Sequence, residues 1–291
     1  MKKLALFLDG QFNKADLSLI ESLAPGVVKG KGVFETMRAY QGQIFALEKH
    51  LARIRRGLKC LGIKSSYSQK SIKEYLARLL QVNDLKDGRV RLSVWQEKRI
   101  VRIAIVCVAA PSLSAKIYRR GFKTMMAKVR RPKTIFSQIK SLDYACFRQA
   151  FIEARQHNCD EAILLNHRNE IVEGSRSNLF FVKDHVIYTP ALCSGCLKGI
   201  TRQWIIQRAK SMSILCRQVK VKLDQLFSAD EAFLTNSLMG VVPLTEVNGK
   251  MIGQGKMGRV TLKLSQAYRR LVKDGLRKTR KAACPTKEPS V

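Results

Sequence analysis

The stretch Ala109-Ala110-Pro111-Ser112-Leu113-Ser114 does most to constrain the fold. Proline lacks a backbone N–H and pushes the residue before it out of helical geometry, so no helix or central strand runs through this segment. A full set of strand and helix patterns lies on each side of the break. A chain of 291 residues punctuated in this way predicts two α/β units. The expected boundaries are a small N-terminal α/β domain over 1–110, a large C-terminal domain over 116–274, and a basic, disordered tail over 275–291.

On the N-terminal side, Leu4 to Leu8 reads as a strand that ends at the turn Asp9-Gly10. Val33 to Tyr40 and Gln43 to Ala46 read as a hairpin around Gln41-Gly42. Leu51, Ile54, Leu58 and Leu61 recur at helical spacing, which predicts an amphipathic helix over 48–61, and a second helix follows over 69–80. Arg89 to Trp95 and Arg99 to Val108 pair as strands across a short turn. Beyond the break, strands are expected over 121–129, 161–166, 179–182 and 232–235. Helices are expected over 143–157, 199–211 and 259–272.

The longest apolar run, Ile100 to Ala110, contains Arg102 and is too short to span a bilayer. The run after Met1-Lys2-Lys3 stops at Asp9, short of a signal-peptide core. A cytoplasmic protein with no membrane partner is therefore expected. Cys193-Ser194-Gly195-Cys196 has no second pair or flanking histidines to complete a zinc set, so no metal is expected. The 54 Lys and Arg against 22 Asp and Glu leave a formal charge of +32. These charges are spread along the chain without the basic–aromatic interleaving of a nucleic-acid surface, which argues against nucleic acid as a partner.

Lys140 stands ahead of a predicted helix, and Glu173 opens the later turn Glu173-Gly174-Ser175-Arg176-Ser177-Asn178. One lysine amine and one carboxylate are what pyridoxal-phosphate chemistry requires. The amine joins the cofactor aldehyde, and the carboxylate keeps a proton on the pyridine nitrogen. In a chain this rich in lysine the pair alone selects nothing; the words around it do. These are GVFETMR (32–38), LEKHLARI (47–54), IKSLDY (139–144), DEAILLN (160–166), EGSRSNLF (173–180), TPAL (189–192), GITR (199–202) and ADEAFLTNSLMGVVPL (229–244).

Together, and in this order, the words resemble class IV pyridoxal-phosphate enzymes, the family of branched-chain and D-amino-acid aminotransferases and of aminodeoxychorismate lyase. The resemblance covers nearly all of residues 3–272. It implies the two-domain α/β (α+β) architecture of fold-type IV enzymes, of the D-amino-acid aminotransferase kind, working as a homodimer. It also implies pyridoxal 5'-phosphate in the C-terminal domain, with Lys140 and Glu173 in the roles above. Arg53, Ile200, Thr201, Asn236 and Ser237 match the phosphate-holding positions, the helix start at Gly199 offering free N–H groups. Phe34, Thr36 and Arg38 match the strand that reaches the cofactor, with Phe34 and Thr36 on one face and Glu35 on the other. Thr36 matches the threonine thought to assist proton transfer in the lyases. Arg38 reads either as a substrate-carboxylate contact or as an ordinary strand salt bridge. The N–H groups of Leu238 and Met239 are placed for a substrate carboxylate. Tyr144 reads as pocket wall or core.

The implied reaction is transfer of an amino group between an amino acid and a 2-oxo acid, with Lys140 as general base at the substrate Cα. The alternative is lyase chemistry that releases pyruvate and 4-aminobenzoate. Two departures from the family leave the substrate open: Lys31 replaces an acid, and the connection Trp95 to Arg99 is short. Gly253-Gln254-Gly255-Lys256-Met257-Gly258 spells a dinucleotide fingerprint but lacks the βαβ unit that the fingerprint needs.

Overall fold

A computed structural model describes residues 4–28, 30–111, 113–132 and 137–283. The N-terminal part comprises β1 (Leu4–Leu8), β2 (Gln11–Ala15), α1 (Leu17–Ser22), β3 (Lys31–Tyr40), β4 (Gln43–Ile44), α2 (Leu47–Leu61), α3 (Gln69–Val82), β5 (Gly88–Glu97) and β6 (Ile100–Ala109). Its strands form one antiparallel sheet in the order β2-β1-β6-β5-β3-β4. Helices α2 and α3 cover one face through Leu51, Ile54, Leu58, Leu76 and Leu79, against Phe7, Met37, Leu92 and Ile105. Each such aliphatic side chain, fully buried, contributes roughly 1.5–3 kcal/mol. Ser68 caps α3, its side chain accepting from the Ser71 N–H. The return strand β4 is shorter than expected because Ala46 turns left-handed (φ 56°) to start α2.

The remainder comprises α4 (Ala115–Arg120), β7 (Phe122–Met126), α5 (Ala145–Gln156), β8 (Glu161–Leu165), β9 (Ile171–Gly174), β10 (Asn178–Lys183), β11 (Val186–Pro190), α6 (Ile200–Ser211), β12 (Cys216–Val219), α7 (Leu223–Phe227), β13 (Glu231–Asn236), β14 (Gly240–Val247), β15 (Lys250–Met251) and α8 (Arg259–Ala283). A mixed sheet runs β12-β11-β10-β13-β14-β7-β8-β9, with β15 beside β14. It curls until β9 lies near β10 and β11. Leu179, Phe181, Leu234, Val242 and Leu244 fill its inside. On its outside, Phe180, Phe233 and Val241 pack with Ile205 of α6 and with Leu264, Tyr268 and Val272 of α8.

Further sequence expectations shift: the strand expected over 121–129 is the shorter β7. Helix α5 starts at Ala145 rather than Asp143, because the backbone before it is committed to β3. The Phe34 N–H donates to the Lys140 carbonyl (2.9 Å), the Leu142 N–H donates to the Gly32 carbonyl (3.0 Å), and Val33 bridges Ser141. The last helix continues past Val272 to Ala283, since Leu271 and Leu276 still pack on the outer core. Of the tail expected over 275–291, residues 284–291 lie outside the described ones. The apolar run from Ile100 forms β6 and the start at Leu4 forms β1, and no helix among the described residues is long and apolar enough to cross a membrane.

Candidate active site

Strand β3 sorts its residues by alternation. Phe34, Thr36, Arg38 and Tyr40 line a cleft of about 1360 Å³ between the two sheets, while Met37 and Ala39 enter the core under α2. Glu35 therefore points into an apolar layer, and a carboxylate there needs cationic or N–H partners. Helix α2 supplies both from one face. Arg53 Nε and Nη2 donate to the two oxygens of Glu35 at 2.6 and 2.7 Å, and His50 Nδ1 lies 2.7 Å from Oε2. Burial alone would push the Glu35 carboxyl up, but the Arg53 guanidinium and then His50 outweigh it and hold it at about 2. Burial lowers His50 more than Glu35 raises it, so the ring is neutral. Glu35 can only accept, which assigns the His50 proton to Nδ1. The Arg53 fork is thus fixed before any ligand arrives.

Lys140 is anchored by its backbone to β3 and opens onto the cleft. Its ammonium stands 4.5 Å from the centre of the Phe34 ring and 5.8 Å from that of Tyr144. Although the residue is only partly covered, its amine lies deep in the protein. Burial and then the Arg53 charge bring the Lys140 amine down to about 8, against the opposing pull of Glu35 and Glu173. A substantial neutral fraction near neutral pH suits a nucleophile and base.

Glu173 is the third of the four residues of β9 and is 5% exposed. The Leu197 N–H (3.0 Å) and Asn178 Nδ2 (3.3 Å) both donate to its Oε2, leaving Oε1 without a partner among the described residues. Burial pushes this carboxyl up to about 7, against Arg131, the Leu197 N–H, Lys140 and Arg202. The same loop reaches the start of α6: Asn178 Nδ2 also donates to the Leu197 carbonyl, and Arg53 Nη1 to the Lys198 carbonyl at 3.4 Å. A helix start leaves its first N–H groups unpaired. Gly199 is required here because a Cβ would sit 2.0 Å from Asn178 Oδ1. The hydroxyls of Thr201 and Thr235 are buried with no hydrogen-bond partner among the described residues; Thr201 lies near the Tyr268 hydroxyl without bonding geometry.

These features fit pyridoxal 5'-phosphate. A fixed guanidinium, a helix start and two orphan hydroxyls would take the phosphate. The free oxygen of Glu173 would meet a ring N–H, and the Lys140 amine would meet the aldehyde. Replacing Arg53 with Met should raise the dissociation constant of the cofactor about ten- to a hundredfold, the loss of a charge-assisted contact. Equilibrium dialysis of the cofactor checks this.

The other expected positions fall as follows. Ile200 and Thr201 are the first residues of α6, and Ser237 lines the cleft. Asn236 Nδ2 donates to the Arg176 carbonyl, and its Oδ1 accepts from the Leu238 and Met239 N–H groups at 2.9 Å each. Those two amides are therefore held within their own loop. Arg38 Nη2 stands 4.0 Å from Asp87, and Nη1 donates to the Pro111 carbonyl. Tyr144 both walls the cleft and stacks on Phe147, its hydroxyl donating to the Ser175 carbonyl.

Sequence reasoning missed Glu35 and His50 as the clamp on Arg53, and Thr235 as a second buried hydroxyl. The signal was present: a carboxylate on the core face of a strand beside a helix that carries His and Arg three residues apart. The glycine word at 253–258 leads into α8, whose first turn is taken by a protein carboxylate. Glu231 accepts from the Val260 (3.0 Å) and Thr261 (2.8 Å) N–H groups, and a Cβ at Gly258 would meet it at 2.2 Å. In the CxxC, Cys196 is buried with its thiol toward the Pro190 carbonyl, while Cys193 is exposed.

Comparison with known proteins bears on the family and the fold. The family model described as amino-transferase class IV matches residues 32–247. The chain is 31% identical to an aminodeoxychorismate lyase of Bacillus subtilis, over 92% of this chain and 95% of that one. It is 32% identical to a branched-chain-amino-acid aminotransferase of Pseudomonas aeruginosa, over 84% of each. Its fold superposes on a T.th. branched-chain amino acid aminotransferase solved with pyridoxamine 5'-phosphate. That likeness has a TM-score of 0.83 at 26% identity, covering 94% of this chain and 95% of the other. The expected fold-type IV architecture is thereby shown.

Proposed function

The chain belongs to the class IV aminotransferase family, and on that premise we propose that it uses pyridoxal 5'-phosphate to move an amino group between an amino acid and a 2-oxo acid. The observation that carries this reading is the Lys140 amine, set in the cleft beside the Phe34 and Tyr144 rings and lowered by burial and Arg53 to about 8. When bound, the cofactor supplies an aldehyde for amines and a ring that accepts electrons from the substrate carbon.

The protein's own residues do the rest. Arg53, the Ile200 and Thr201 N–H groups and the Thr201 and Thr235 hydroxyls hold the phosphate end. Glu173 holds a proton at the ring nitrogen. Lys140, as a neutral amine, takes the proton from the substrate Cα and returns it on the other side of the transfer. Phe34 and Tyr144 pack beside this amine and keep water from it.

Lyase chemistry on the same machinery is the second reading. It is favoured by Thr36, which lines the cleft, and by the similarity to the Bacillus subtilis lyase. Cofactor-loaded protein should lose its visible cofactor absorption when mixed with a suitable amino donor and regain it with a 2-oxo acid. Pyruvate release from aminodeoxychorismate, with no donor changing the spectrum, would select the lyase instead. A homodimer rests on the family resemblance and a cytoplasmic location on the short apolar runs of the sequence, and light scattering against the 32.9 kDa chain mass tests the first.

A further inference from the structure

We propose that the outward face of α8 is a docking surface for the phosphate backbone of double-stranded nucleic acid, bound without regard to base sequence. Read along the chain, the cations are spread; α8 gathers a set of them on one side. Its 25 residues hold nine Lys and Arg and a single acid, Asp274, against 54 and 22 in the whole chain.

The inner side of the helix is committed to the fold. Leu264, Tyr268 and Val272 are buried against Phe180, Phe233 and Val241 of the sheet, and the Tyr268 ring meets Trp204 of α6 edge-on at 5.2 Å. Residues at i, i+4, i+7, i+11 and i+14 share one face of a helix. From Arg259 that spacing reaches Lys263, Gln266, Arg270 and Lys273, and all five are exposed. In sequence the same spacing continues at Arg277 and Lys281. At 1.5 Å per residue the stripe from Arg259 to Lys273 is about 21 Å long, which is about six base pairs of duplex. Among the described residues none of its four cations has a carboxylate within ion-pair distance. Cations on other faces do: Arg120 pairs with Asp160, Lys123 with Glu246 and Lys183 with Asp230. The neighbouring α6 adds exposed Arg208 and Lys210 and contains no acid.

Unpaired cations on a wet surface collect loose counter-ions, and a straight row of like charge is matched by a polymer whose own charge repeats regularly. Three features select the duplex. The apolar side of α8 already packs on the sheet, so the helix has nothing to insert into a membrane. No aromatic residue stands on the stripe, so it offers no platform for unstacked bases. A duplex needs no such platform, because its bases are stacked on one another and its phosphates face outward. Lysine and arginine contacts to phosphate position a protein and carry no sequence information.

Fluorescence anisotropy of cofactor-loaded protein with a labelled duplex of about 20 random base pairs tests the surface. Wild-type affinity should fall steeply between about 0.05 and 0.2 M salt, with a log–log slope of about −4 or steeper. The triple variant Arg259→Gln, Lys263→Gln, Arg270→Gln should bind about tenfold or more weakly at about 0.1 M salt and lose about 2–3 from that slope, at about 0.9 per phosphate contact. A matched variant removes the same charge from α2, where Arg55, Arg56 and Lys59 are also exposed. Changing these three to Gln should alter the affinity less than about threefold. Both variants should keep the wild-type cofactor absorption, since none of the six residues touches the site. Equal losses in the two variants would reduce the effect to net charge and overturn the assignment to α8. So would absence of binding at the lowest salt, or tighter binding to single strands or to anionic phospholipid vesicles than to the duplex.

Discussion

Lys140→Ala is expected to lower turnover by at least about 10³-fold, since it removes both the amine that joins the cofactor and the base that moves the Cα proton. The variant should still fold. What the main chain of residue 140 contributes, the bond from the Phe34 N–H to its carbonyl, does not involve the side chain. Removing a cation from beside Arg53 also relieves repulsion. In wild-type protein the rate of cofactor loading should climb with pH through about 8, where the Lys140 amine becomes neutral, and level off above it. Stopped-flow loading across this range, with circular dichroism of the variant as a folding control, reads both expectations. Turnover in the alanine variant close to that of wild type would remove Lys140 from the reaction.

Glu173→Gln should move activity and stability in opposite directions. Glutamine cannot hold the proton at the ring nitrogen as a carboxylate does, so turnover should fall by about 10²–10⁴-fold. In cofactor-free protein the same change should be stabilising. The folded-state value of Glu173 is raised from 4.5 to about 7, so the fold prefers the neutral carboxyl. That contribution is fully present below the unfolded value and is lost as pH rises through about 7. Above this, the buried carboxylate costs up to about 3 kcal/mol, at about 1.4 kcal/mol for each pH unit between the two values. Glutamine keeps an oxygen for the Leu197 N–H and carries no charge. The thermal midpoint of the cofactor-free variant at about pH 8 should therefore exceed that of wild type by several degrees, and the gap should close toward about pH 5. Equal midpoints at both pH values would mean that the carboxylate is not strained in the empty site. The contrast with Glu35 is instructive: both carboxylates are buried, but Glu35 has a guanidinium fork and a histidine, and its charge is stable there.

The periodicities in the sequence located most elements, because local patterns set them. The helical spacing of Leu51, Ile54, Leu58 and Leu61 marks α2, and alternation marks the cleft face of β3. Lys140, Glu173 and the helix start at Gly199, which the fold brings to one cleft, were legible as candidates because their chemistry is carried by short words. Shorter pieces such as β2, α1, α4 and α7 escaped, each being five or six residues long and set by packing.

What the chain alone determined is the family, and with it the fold-type IV architecture and the cofactor class; Lys140 and Glu173 are the lysine and carboxylate proposed to serve it. Tertiary structure decided how these groups are tuned. Glu35 meets His50 and Arg53 only when α2 lies on β3, and the amine of Lys140 is lowered only when burial and Arg53 surround it. Each of these depends on contacts between segments distant in sequence, where a strand slipped by one residue would turn its side chains to the opposite face. Local sequence patterns carry no record of such distances, whereas charge, burial and pKa depend on them steeply.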